Sequence, residues 1–165
     1  MKAVIQRVLN ANVTVDGEVI SSIGKGLCIL IGISRDDTEK DIDYMVRKIL
    51  NMRLFEDEAG KMWKCSVKEK DYEVLCLSQI TLYHRLKGNK PDFHLAMAPE
   101  LSKSFYGKFL EEMRNNYCEE RIKEGIFGKH IVVGIQNDGP VTINLESPNR
   151  DRSLEKEEQT VPNLE

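Results

Sequence analysis

Residues 26–33 read Gly-Leu-Cys-Ile-Leu-Ile-Gly-Ile, an apolar run with no polar interruption. It is too short for a typical helix and rich in β-branched residues, so it reads as a central strand buried on both faces. The rest of the chain must therefore supply a sheet around it and cover for it. With 165 residues, 41% of them hydrophobic, the chain is expected to form one domain with a substantial core.

The flanking segments fit that frame. Residues 2–20 predict two strands joined at Asp16-Gly17, a type I′ hairpin signal. A helix is expected over about 38–51, capped by Asp37 or Thr38, with Ile42, Met45, Val46, Ile49 and Leu50 on one face. A short strand and a turn at Ala59-Gly60 follow, then a strong strand over roughly 72–80. Residues 83–100 read as a long loop. A second helix carries Leu101, Phe105, Phe109, Leu110 and Met113 on one side. Residues 129–136 predict a late strand, and 141–145 alternate like another. About seven strands and two main helices result. The fold class is α/β: a rolled, barrel-like mixed β-sheet with the helices on one side. The domain is placed at 1–148, and 149–165 as a charged, disordered tail.

Composition excludes several functions. Net charge is −3, which disfavours wrapping duplex nucleic acid through the overall field. A local patch gripping a nucleic-acid end stays possible. No apolar run approaches the roughly 18 residues needed to cross a bilayer, and the N-terminus reads as a strand rather than a signal peptide. A cytoplasmic location without membrane attachment is expected. Cys28, Cys65, Cys76 and Cys118 form no CxxC pair and read as free thiols. His84, His94 and His130 lack metal-binding spacing, so neither a metal nor a cofactor is expected. There is no GxSxG elbow and no glycine-rich phosphate loop.

Two stretches stand out. In Leu77-Ser78-Gln79-Ile80-Thr81-Leu82, polar groups replace the apolar run at the end of a strand. That is either plain strand termination or a site. In Asn137-Asp138-Gly139-Pro140-Val141-Thr142, the turn-formers sit at the mouth of a strand. That is either a β-turn or something the site requires.

Taken together with the Lys87-Gly88-Asn89-Lys90-Pro91-Asp92-Phe93-His94 segment, they closely resemble the D-aminoacyl-tRNA deacylase (DTD) family, with its SQFTL-type and NxGPVT-type motifs. The likeness runs over about 1–147. One position departs: the family's Phe is Ile80 here, which cannot stack on a base. The resemblance implies a DTD-like homodimer that hydrolyses the ester joining a D-amino acid, or glycine mischarged on tRNA-Ala, to the tRNA 3′ end. Gly139 and Pro140 of one subunit would enter the site formed by Ser78, Gln79, Ile80 and Thr81 of the other. A cis Gly139-Pro140 bond would aim main-chain carbonyls at the substrate ammonium, so that an L side chain meets rigid backbone.

Backbone N–H groups and the ribose 2′-OH would carry the chemistry, with Thr81 positioning rather than attacking. Arg7, Asn137 and Thr142 would support the loop, although Arg7 also fits a surface arginine on an edge strand. Arg85, Lys87, Asn89, Lys90, Phe93 and His94 would meet the tRNA acceptor end. Alternatives are a non-catalytic nucleic-acid-binding module and a deacylase with relaxed chirality.

Overall fold

The computed structural model describes residues 1–148. The tail expected at 149–165 lies outside the described residues. The elements in chain order are β1 (Lys2–Val15), β2 (Glu18–Ile23), β3 (Gly26–Gly32), α1 (Glu39–Asn51) and β4 (Glu73–Ser78). After them come β5 (Arg85–Lys87), β6 (Lys90–Asp92), α2 (Pro99–Asn115), β7 (Ile122–Glu124) and β8 (Val132–Glu146). Neither helix is long and apolar enough to cross a membrane.

The main sheet runs β2-β1-β3-β4-β7, with β8 also on β1. β1 pairs antiparallel with β2, β3 and β8, whereas β3–β4 and β4–β7 are parallel, so the sheet is mixed. One strand reaches three partners by sharing its length. Residues 2–8 pair with β3, residues 11–15 pair with β2, and β8 follows the opposite edge. The sheet therefore rolls, and β2 comes beside β4 and β7 to nearly close a barrel.

The apolar run lies at the centre, as expected. Leu27, Ile29 and Ile31 face both helices and pack with Ile42, Met45, Ile49, Phe109 and Met113. Cys28 points the other way, into the rolled sheet, with Val8, Val13, Leu75 and Leu77. The period-2 alternation of a strand thus feeds two cores. The Asp16-Gly17 turn has positive φ at both residues (49° and 84°), as type I′ requires. Thr38 caps α1, and its N–H donates to Asp41 Oδ2 at 2.8 Å. All five residues expected on the inner face of α1 are buried.

Several sequence expectations are corrected. The strand near 53–55 is a single bridge, Phe55 to Cys65. β4 stops at Ser78, and Ile80–Leu82 form a 3₁₀ turn. The segment read as a loop contains the β5–β6 hairpin, turned at Gly88 with φ 61°. β7 gave too short an apolar signal to be read. The strands expected at 129–136 and 141–145 are a single strand, β8, which starts at Val132 and continues past Gly139-Pro140. In α2 the inner face is rotated: Leu101 is 64% exposed while Tyr106 is buried. The Tyr106 hydroxyl donates to the Cys76 carbonyl at 2.9 Å, so the ring enters the core with its polar end satisfied.

Candidate active site

The polar break at the end of β4 has a local cause. β4 pairs with β3 as far as Ser78 opposite Ile31. The Gln79 N–H then donates to the Ile31 carbonyl at 2.7 Å, and the chain turns. Leu82 N–H reaches the Gln79 carbonyl and Tyr83 N–H reaches that of Ile80. A 3₁₀ turn leaves the N–H groups of its first residues, here Ile80 and Thr81, without partners inside the turn. Gly32 makes room for it, since a Cβ there would lie 2.7 Å from that of Leu82. The Gln79 side-chain amide donates to Thr81 Oγ1 at 2.6 Å. His84 Nδ1 lies 2.6 Å from the Thr81 carbonyl, so this imidazole addresses the main chain rather than the hydroxyl. Ile80 is half exposed.

A cavity of about 580 Å³ opens beside this turn. Ser78, Gln79 and Ile80 line one side, and Met97, Phe127 and His130 are among the residues that complete it. Sequence reasoning missed the last three. The only local signal was the glycine spacing around Ile126 and Phe127, which marks a loop but not a site.

The Gly-Pro pair sits in a wide bulge. Gln6 pairs with Thr142 and Val8 with Asn137, so residues 138–141 stand opposite Arg7 alone. Asn137 closes the neck of the bulge: its Nδ2 donates to Thr142 Oγ1 at 3.1 Å, and its Oδ1 accepts from Val141 N–H at 3.2 Å. The Gly139-Pro140 peptide is cis, and both residues are exposed. Gly139 has φ +125°, and a Cβ there would lie 3.1 Å from Val141 N and 3.2 Å from an Arg7 guanidinium nitrogen.

Arg7 is only 7% exposed. It donates to the Leu54 carbonyl at 2.7 Å and to the Asp138 carbonyl at 3.3 Å, and it faces the Asp138 carboxylate at 3.3 Å. Of the two readings open from sequence, the geometry matches a buried arginine tied to the bulge.

The β5–β6 hairpin is a separate exposed feature. Lys87 pairs with Asp92 at 2.8 Å, and His94 also bonds Asp92. Lys87 first, then His94, hold the Asp92 carboxyl well below its usual range. Arg85, Asn89 and Lys90 are exposed, and Phe93 is half-buried. Among the described residues, Arg85 and Lys90 make no ion pair. In one copy, then, Ser78 to Thr81 form one group and Arg7 with Asn137 to Thr142 form another. The cavity lining includes neither Gly139 nor Pro140.

The family model for D-Tyr-tRNA(Tyr) deacylase matches residues 4–146 of this chain. The chain belongs to that family. Membership makes it a hydrolase of the aminoacyl-tRNA deacylase class. Among its relatives, D-aminoacyl-tRNA deacylase 1 of Mus musculus is 62% identical over 148 residues, covering 90% of this chain and 71% of the relative. D-aminoacyl-tRNA deacylase of Drosophila melanogaster is 57% identical over 159 residues, covering 94% and 100%. A solved structure of a protein called c-Myc DNA unwinding element binding protein superposes with TM-score 0.88 at 62% identity, covering 90% of this chain and 100% of that one. The rolled mixed sheet with two helices is thus a family architecture.

Proposed function

We propose that this deacylase cleaves the ester between a D-amino acid, or glycine mischarged on tRNA-Ala, and the 3′ end of tRNA, and that it works as a homodimer. The observation that carries this reading is the division of the site. The cavity beside Ser78, Gln79 and Ile80 is concave but is not lined by the Gly139-Pro140 bulge, while the bulge stands exposed elsewhere on the same copy. A second copy supplies what each lacks. An isologous two-fold contact would do so twice.

In this arrangement the main-chain carbonyls of the bulge accept hydrogen bonds from the substrate ammonium and fix the α-carbon. A D side chain then points to solvent, and an L side chain runs into the backbone of residues 139 and 140. Discrimination by clash ignores side-chain identity, which a filter on chirality needs. Glycine has no side chain to reject. Thr81 is held by the Gln79 amide and positions the ester. The exposed N–H groups of Ile80 and Thr81 suit the developing oxyanion, and the adjacent ribose 2′-OH or water attacks an ester already activated. Ile80 leaves the rim without the stacking ring that the family motif carries. Arg85, Asn89, Lys90, Phe93 and His94 extend the binding surface along the acceptor end, with Lys87 held back by Asp92.

The name of the solved relative, which describes that protein as DNA-binding, keeps one second reading in view: nucleic-acid binding without hydrolysis. Purified protein incubated with D-, L- and glycyl-aminoacyl-tRNA separates the readings. D and glycyl esters should be cleaved and L esters on the order of a hundredfold more slowly. Equal cleavage of D and L esters would overturn the chirality filter, and release of no amino acid would favour the binding module.

A further inference from the structure

Trp63 is the sole tryptophan of the chain, and it stands in an unusual place. Its φ is +65°, a region that bulky L residues rarely occupy, and its side chain is 55% exposed. Such an outlier marks a position that its surroundings hold deliberately. The holding is visible. Residues 55–65 form a tight turn in which the Phe55 and Cys65 backbones exchange hydrogen bonds at 3.0 Å. Asp57 Oδ1 accepts from the N–H groups of Ala59 and Lys61 at 3.0 and 2.9 Å. The turn presents the indole over the Arg7 guanidinium, with 6.0 Å from Arg7 Cζ to the ring centroid. Leu54, immediately before this turn, supplies the carbonyl that Arg7 binds.

The indole, Arg7 and the bulge therefore form one linked unit. Arg7 holds the Asp138 carbonyl, and its guanidinium touches the space beside Gly139. At 6.0 Å the guanidinium lies within cation–π reach of the ring, so the aromatic face both attracts the cation and keeps water from competing for it.

We infer that Trp63 is a positioning residue for chiral selection: it fixes Arg7 and, through it, the Gly139-Pro140 backbone that rejects L substrates. This inference rests on the proposed role of that bulge. Trp63 touches no reacting atom. Its removal should loosen the clash with L side chains more than the binding of D substrates.

The test compares wild type with Trp63→Phe, Trp63→Leu and Trp63→Ala, reading the ratio of kcat/KM for D- over L-aminoacyl-tRNA. Phe keeps an aromatic face, and its ratio should stay within about threefold of wild type. Leu and Ala should lower the ratio by about tenfold, the scale on which a shielded cation–π partner acts. Leu keeps apolar bulk, so a role in packing alone would leave it equivalent to Phe and would contradict the inference. It also serves if the Ala variant does not fold. An unchanged ratio in a folded Leu or Ala variant overturns the role of Trp63 alone. A wild type without D preference overturns the reading of the bulge on which it rests.

Discussion

Strand β1 has two edges, and they behave differently. Against β3, residues 2–8 pair in unbroken register with Gly32 back to Gly26. Against β8, the ladder breaks on both sides of Val8, and at the break that contains Arg7 four residues face one. On the first edge every backbone group belongs to the sheet, and the side chains feed two cores. On the second, the backbone of residues 138–141 leaves the ladder and is retied by side chains, Arg7 and Asn137. One strand thus carries stability along one edge and the candidate selectivity device along the other.

That separation can be broken from either side. Ile29→Ala on the continuous edge removes a fully buried side chain and should lower unfolding free energy by about 2–5 kcal/mol in denaturant titrations. The D-over-L ratio of the remaining folded enzyme should not change. Gly139→Ala on the broken edge should do the opposite. At φ +125° and with Val141 N so close, a methyl group must displace the bulge, at a cost of about 1–3 kcal/mol. Selectivity measured on D and L esters should drop by up to about a hundredfold while the melting temperature moves only a few degrees.

A smaller effect belongs to Cys28, on the regular edge. Burial raises its thiol from an ordinary 9.0 to about 11. Because the folded value exceeds the unfolded one, this contribution to stability is complete below pH about 9 and is lost as pH climbs toward 11. Stability measured across that window should fall less steeply in Cys28→Ala than in wild type. At neutral pH, alkylating reagents should label half-buried Cys65 and Cys118 well before buried Cys28 and Cys76. The smallest change is expected at the hairpin. Lys90→Ala should weaken tRNA binding and reduce the slope of log affinity against log salt by about 0.7–0.9 for one lost phosphate contact, leaving chirality untouched.

The regular edge was the legible one. Period-2 and period-3.6 patterns identify β1 to β4 and the inner face of α1, because burial writes directly into residue type. The irregular edge was legible only as an anomaly. Asn137 to Thr142 announce a break, but whether the chain turns back or bulges and continues depends on β1 opposite, more than a hundred residues away in sequence. The same limit hid the cavity wall at Met97, Phe127 and His130, which meet Ser78 and Gln79 only through the tertiary fold. No sequence pattern assigns Tyr106 to the inner face of α2, because its hydroxyl partner is the Cys76 carbonyl, a tertiary contact. The resemblance supplied the pairing of the two motifs, which local patterns alone left open.

The most direct test is subunit complementation. Gln79→Ala disables the cavity of each copy, and Gly139→Ala disables the bulge that each copy lends. Each variant alone should be inactive as a D-selective deacylase. Mixed in equal amounts with free exchange of subunits, half of the dimers are hybrids, and each hybrid has one intact site. The excess of D- over L-aminoacyl-tRNA hydrolysis should then recover to about one quarter of the wild-type excess. No recovery in a mixture whose hybrid dimers are verified by mass would mean that cavity and bulge do not meet across a two-fold axis.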